Sequence, residues 1–237
     1  MSLKAVLFDF NGVIINDESL HQELIEEILL GENLRPDAKE HNEVCLGRSD
    51  RACLASILER RGRVVTQEYL EQLLEKKATK YRQTLEAQEE LPIYPEIESF
   101  IRDLWGSGLI LALVTGARRQ DVEYILERLK ISNAFAVIIT SDDITASKPD
   151  PEGYLTAVEK LNQQYADLNL KPENCLVIED TPSGIEAAKR AQMQVVGVAN
   201  TYPFHMIQRQ ADWSVDYLQE LEIERVKQHF ADVTIES

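Results

Sequence analysis

"LFDFNGVI", residues 7–14, opens as a short apolar strand and turns at Asn11-Gly12. Leu7 and Phe8 have the character of core residues, and Asn-Gly is a pair that favours a tight turn. Asp9 stands at the strand's end, where a carboxylate leaving water needs a partner or a task. A second carboxylate two residues on would complete an acid pair, but the chain has Asn11 there. The stretch therefore predicts a buried strand that delivers one carboxylate to a loop. What the rest of the chain builds around that carboxylate decides the fold and the chemistry.

Strand-like runs recur at 109–114, 136–140, 176–178 and 195–198. Helical spacing of apolar residues fills 121–130, 151–164 and 183–192, the last with a start signal near Ser183, and the tail beyond Val215 carries a further helix. Strands alternating with helices specify a parallel sheet covered on both faces. Residues 17 to about 90 differ: Leu20, Leu24 and Ile28, then Leu70, Leu73 or Leu74, Tyr81 and Leu85 keep a helical period with no strand pattern. Gly31, Pro36 and Gly62 break this stretch, and Pro92 and Pro95 bracket a stiff return segment. The fold class is α/β: a Rossmann-like parallel sheet, residues 1–16 and 93–237, interrupted by an all-helical insertion, residues 17–92.

The 237 residues are 44% hydrophobic and 28% charged, ordinary for a globular chain with a core. A formal net charge of −16 argues against nucleic acid as a partner. It leaves a phosphorylated small molecule open, because exposed charges are screened over roughly 8–10 Å. No apolar run has membrane length, and the start lacks a basic-then-apolar leader, so a cytoplasmic protein is expected. Cys45, Cys53 and Cys175 are odd in number and lack metal-ligand spacing, which predicts buried reduced thiols rather than a disulfide framework. Nothing in the sequence points to a protein partner.

In open parallel sheets, ligands lie beyond the carboxyl ends of the strands. Asp9, Thr115, the loop to Lys148 and Glu179-Asp180 all fall at or just past such ends. Carboxylates from neighbouring strands repel unless a cation sits between them. Mg2+ suits that place: it takes a few carboxylate oxygens and bridges to phosphate. Asp9 and Asp180 would each supply an oxygen, and the turn could aim the Asn11 carbonyl inward as another. Lys148 in "SKPDP" would balance the carboxylates and hold a phosphate oxygen. Thr115 and Gly116, ahead of a helix, offer a hydroxyl and free N–H groups as an oxyanion cradle. Asp9 could then attack phosphorus to give an aspartyl-phosphate. Each piece has an ordinary alternative: a strand-end turn, a solvated loop lysine, a helix cap.

Together, "FDFNGVI", "LVTGA", "SKPDPEGY" and "LVIEDTPSGIEAAKRA" resemble the motifs of the haloacid dehalogenase-like hydrolase superfamily, in family order. The helical insertion, with "ESLH" (residues 18–21) and "LGRSD" (residues 46–50), resembles the cap of the branch that holds phosphoglycolate phosphatase-like enzymes and β-phosphoglucomutase. The resemblance implies Asp9 as nucleophile, Thr115 as phosphoryl binder and Lys148 as the charge that steadies it. It implies Asp180 as a Mg2+ ligand, Glu179 as a ligand or its partner, and the Asn11 carbonyl as another ligand. The implied activity is Mg2+-dependent hydrolysis of a small phosphorylated metabolite.

Position 11 departs from the pattern, since most such phosphatases carry an Asp there as general acid and base. An amide cannot transfer that proton, and such catalysis is typically worth about 10²–10⁴-fold. Asn16 also replaces an Asp found in many relatives. Mutases use the acid directly, so Asn11 argues against mutase activity. The sequence leaves two readings: a phosphatase that is slow or uses a substitute acid, with Glu18 and His21 nearest in sequence, and a non-catalytic binder of phosphate and metal. Arg48, in the insertion, is a candidate contact for an acidic substrate.

Overall fold

The computed structural model describes residues 2–165 and 167–232. The strands β1 (Ala5–Phe8), β2 (Ile110–Val114), β3 (Phe135–Ile139), β4 (Cys175–Glu179), β5 (Gln194–Val198) and β6 (Trp213–Val215) form one sheet in the order β3-β2-β1-β4-β5-β6. Every neighbouring pair is parallel. β1 carries AVLF with all four residues buried, as a central parallel strand must when helices cover both its faces. The chain runs from β1 out to β2 and β3, then returns to the other side of β1 at β4. Strand order thus reverses beside β1, and the crevice that such a reversal opens lies at the carboxyl ends of β1 and β4.

The period of two along each strand sorts the core into two layers. Val6, Phe8, Leu111, Leu113, Leu176 and Ile178 face one side, where α5 (Ile97–Gly106), α6 (Arg119–Leu129) and the last helix supply Ile101, Ile125 and Phe230. Ala5, Leu7, Ala112, Val114, Cys175 and Val177 face the other, against Tyr154 and Leu161 of a helix at Glu152–Gln164 and Ile185 of another at Pro182–Arg190. In chain order these last helices are α7 (Glu152–Gln164), α8 (Pro182–Arg190), α9 (Phe204–Ile207) and α10 (Ile223–Asp232). Burying one Leu or Phe side chain is worth about 1.5–3 kcal/mol, so the central strands are the anchor of the molecule.

Between β1 and α5 lie α1 (Glu18–Gly31), α2 (Ala38–Val44), α3 (Asp50–Arg60) and α4 (Gln67–Glu86). They gather Ile25, Ile28, Leu54, Ile57, Leu70 and Leu74 into a third apolar cluster. The starts of α2, α3 and α4 are set by short polar side chains: Asp37 accepts from Lys39 and Glu40 N–H, Ser49 from Ala52 N–H and Thr66 from Tyr69 N–H. Each such cap is worth roughly 1 kcal/mol. No helix among the described residues is long and apolar enough to cross a membrane.

Three expectations are corrected. Cys45 and Cys53 are joined by a disulfide, with Cα atoms 4.4 Å apart, while Cys175 is buried and free. Parity and spacing along the chain do not report that the α2–α3 corner folds position 53 back onto position 45. Second, α5 and β6 were not foreseen. α5 starts at Glu96, which has φ +61° and no capping side chain, so the usual start signal is missing. β6 is a three-residue edge strand of half-buried residues, too short and too mixed for a pattern. Third, the start of α8 expected near Ser183 is placed two residues earlier, at Thr181, whose hydroxyl accepts from Gly184 N–H.

Candidate active site at the sheet's carboxyl edge

Asp9 directly follows β1, and its N–H donates to Ile178 O of β4 at 3.0 Å, which ties it to the neighbouring strand. Glu179 ends β4, and Asp180 follows it. Carboxylate oxygens of Asp9, Glu179 and Asp180 lie within 4.8 Å of one another, all buried. Lys148 is buried with them. Its Nζ is 2.8 Å from Asp9 Oδ1 and 2.6 Å from Glu179 Oε1. Glu179 accepts further from Tyr154 OH at 2.7 Å and from Asp180 N–H at 3.1 Å. Both oxygens of Asp180 are buried and make no hydrogen bond of good geometry, though Thr201 lies near enough to ease its charge.

Three carboxylates against one ammonium leave a formal charge of −2, in a place where water cannot disperse it. The titration of the group reflects this. Burial, then Glu179, raise Asp9 to about 7 against the pull of Lys148. Burial, then Glu179 and Asp9, lift Asp180 well above the carboxylate range. The unpaired oxygens of Asp180 and the all-oxygen donor set fit a hard divalent cation, which would remove the −2 excess. Gly12 belongs to the same edge. Its φ is +78°, and a Cβ there would stand 1.9 Å from Asp180 Oδ2. Only a glycine lets this turn pass so close to the carboxylate.

The Asn11 side chain points away from the acids. Its Nδ2 donates to both oxygens of Asp17, at 3.0 and 2.9 Å, and lies 3.2 Å from His21 Nε2. Asp17 is buried and accepts also from Tyr81 OH of α4. The other ring nitrogen of His21 is 2.6 Å from Lys77 Nζ, which is 2.8 Å from Asp50. Burial and Lys77 oppose a charge on His21, but Asp17 and Asp50 outweigh them and raise it to about 10. Burial likewise works against ionised Asp17 and Asp50, yet both are held below the usual carboxylate range. For Asp17 His21 acts first, then Asn11 and Tyr81; for Asp50, Lys77 and then His21.

Sequence reasoning named Asn11 and His21 but not Asp17, Asp50, Lys77 or Tyr81. One signal was available for two of them. Lys77 and Tyr81 fall in the register of the apolar stripe Leu70, Leu74, Leu85 of α4, and a lysine there must find buried partners.

Thr115 is buried at the end of β2, where its N–H donates to Ile139 O and its hydroxyl accepts from Ala117 N–H at 3.0 Å. That leaves the hydroxyl proton to donate. Gly116 adjoins the insertion, since a Cβ there would come within 2.9 Å of Ser49 N. Ser49 N–H donates to Ser147 Oγ at 2.8 Å, beside Lys148. A cavity opens between insertion and sheet edge, lined among others by Asp9, Asn11, Glu18, His21, Arg48 and Thr115. Arg48 donates to Val44 O at 3.2 Å, and its Nε is buried without a partner. The structure therefore gathers Asp9, Glu179, Asp180 and Lys148 into one cluster, with Thr115, Gly116 and Arg48 around the adjoining cavity. Of the foreseen residues, the Asn11 side chain and His21 are turned to another network.

Residues 6–198 match the sequence profile described as haloacid dehalogenase-like hydrolase. The β-phosphoglucomutase of Bacillus subtilis is 30% identical over 207 residues, 85% of each chain. The phosphorylated carbohydrates phosphatase of Thermotoga maritima is 28% identical over 201 residues, 84% of this chain and 87% of that one. The crystal structure of a β-phosphoglucomutase from Clostridium difficile superposes with a TM-score of 0.83 at 26% identity, covering 98% of this chain and 99% of that one.

Proposed function

The chain belongs to the haloacid dehalogenase-like hydrolase family, and from that premise we propose that it is a Mg2+-dependent phosphatase of a small phosphorylated metabolite, of the sugar phosphate class. The observation that carries the reading is the buried group of three carboxylates and one ammonium at the crevice, with Asp180 unpaired. Asp9, Asp180 and the Asn11 carbonyl would hold Mg2+, which when bound supplies positive charge against the phosphate. Glu179 accepts on both oxygens already, so its work is to position Lys148 and the Asp180 loop. The names of the two curated relatives support the sugar phosphate class.

A carboxylate oxygen of Asp9 forms a bond to phosphorus as the bond to the leaving alkoxide breaks, and water later releases the phosphate from Asp9. Lys148 and the Thr115 hydroxyl meet the equatorial oxygens. The alkoxide needs a proton that Asn11 cannot give. His21 lines the cavity with Asp9 and adjoins Asn11, but both its ring nitrogens are engaged, Nε2 with Asp17 and Nδ1 with Lys77, so turnover is slow. Residues 17–92 act as the cap over the cavity, and Arg48 meets an acidic group of the substrate.

The test is phosphate release from a panel of sugar phosphates with and without Mg2+. Release by the wild type should need Mg2+ and fall to background in Asp9→Asn; release unchanged by that substitution overturns the reading. The fixation of Asn11 on Asp17 favours a second reading, a binder without turnover. It holds if the wild type binds vanadate with Mg2+ yet releases no phosphate from any ester.

A further inference from the structure

One cluster of ligating side chains takes no part in the proposed reaction. His41 of α2, Cys45 just after it and Cys53 of α3 are all buried. A ring nitrogen of His41 and the two sulfurs lie within 4.8 Å of one another. Local geometry explains the meeting. His41 and Cys45 are four residues apart and stack on one helix face. The turn into α3 then returns Cys53 to the same spot, as the Cys45–Cys53 disulfide records.

His41 is the second observation. Its Nδ1 is buried with no hydrogen-bond partner. An unpaired buried polar atom costs roughly 1–3 kcal/mol, so a native chain keeps one only where something else satisfies it. One imidazole and two thiolates are a donor set that zinc takes, with a fourth position left for another group. All three residues line the cavity that Asp9 and Thr115 line, so the fourth position adjoins the space for substrate.

We propose that His41, Cys45 and Cys53 form a redox-gated site for a thiophilic divalent cation of the zinc class, set in the wall of the cavity. With the sulfurs joined, neither carries the charge a metal needs, so disulfide and cation exclude each other. A dithiol reductant breaks the Cys45–Cys53 bond, becomes a disulfide itself and leaves two thiols. The cation then displaces two thiol protons and takes the free nitrogen of His41. This site stands on its own residues, whether or not the chain hydrolyses an ester.

The test titrates Zn2+ into the full chain against a chromophoric chelator, with Mg2+ saturating so that the acid cluster does not compete. Wild type reduced by a phosphine and stripped of metal should bind one equivalent with a dissociation constant tighter than about 1 μM. The oxidised wild type, a control that needs no mutation, should bind at least about 100-fold more weakly, and His41→Ala at least about tenfold more weakly than reduced wild type. Co2+ in place of Zn2+ should show thiolate-to-cobalt charge transfer that Cys45→Ser and Cys53→Ser each diminish. Equal affinity of reduced and oxidised wild type overturns the proposal, as does an undiminished affinity in His41→Ala or a cobalt complex without the charge-transfer band. Phosphate release is not read, so failure here is distinct from failure of the proposed reaction.

Discussion

Two charge clusters meet at Asn11, and they are built to opposite rules. The cluster at the ends of β1 and β4 holds Asp9, Glu179, Asp180 and Lys148, and it is short of positive charge and of hydrogen bonds. The cluster across the root of the insertion holds Asp17, Asp50, His21 and Lys77, with Asn11 and Tyr81 as donors, and every carboxylate in it has partners. The second is complete within the chain; the first is complete only with something from outside. A buried charged group without partners is a functional signal because folding alone would not keep it. The same density of charge, fully paired, serves position and stability instead.

The largest break in this contrast is Asn11→Asp. It sets a carboxyl group beside Asp17, and two carboxylates that close hold one proton between them. Turnover of the preferred ester should rise by about 10²-fold, within the span expected of general acid–base catalysis. An unchanged kcat would show that His21 or another group already does the work. Lys77→Met attacks the paired cluster. Lys77 is buried, and its loss strands Asp50 and His21, so unfolding free energy in urea should drop by about 3 kcal/mol, at the lower end for a buried pair because Asp50 is partly exposed. A drop under about 0.5 kcal/mol would mean the network is ornamental to stability.

Mg2+ should act on the unpaired cluster alone. At 100 times its dissociation constant, a ligand specific to the folded state stabilises by about 2.7 kcal/mol. That gain, read as a rise in Tm, should persist in Lys77→Met and vanish in Asp180→Asn. The smallest effect is the pH dependence of stability in chelated protein, where the carboxylates of the two clusters pull in opposite directions. Asp9 is raised to about 7, so the folded chain holds a proton that the unfolded chain has lost, and stability falls as pH rises from about 4 towards 7. Asp17 and Asp50 are lowered, so the unfolded chain binds more protons and stability falls as pH drops below about 4. Each limb should have a slope on the order of 1 kcal/mol per pH unit. Mg2+ should flatten the neutral limb only; if it alters the acid limb instead, the cation binds elsewhere.

The contrast also explains what could be read in advance. Asp9, Thr115, Lys148 and Glu179-Asp180 were legible because each follows a strand or precedes a helix, and a parallel sheet brings such ends together by topology. The paired cluster draws on the segment before α1, on α1, on α3 and on α4, and no local spacing links Asp17 to Tyr81 or Asp50 to Lys77. The amide at position 11 was visible as an anomaly; its bond to Asp17 was not, because it depends on how the insertion seats. The disulfide escaped for the same reason. α5 had an apolar face in Ile97, Ile101 and Leu104 but began on a left-handed glutamate instead of a recognisable cap.

The turn at Asn11-Gly12 has a further consequence, for the age of the protein. Asn-Gly is the pair most given to deamidation, in which the following backbone nitrogen attacks the side-chain carbonyl through a cyclic imide. Here the Gly12 N–H is engaged with Ile15 O at 2.8 Å, and the Asn11 amide is held by Asp17. The folded state therefore resists the reaction, while the unfolded chain at alkaline pH undergoes it freely. A stock that has passed through denaturant loses ammonia there and accumulates isoaspartate with a smaller share of aspartate at this position, and its activity then records how it was handled.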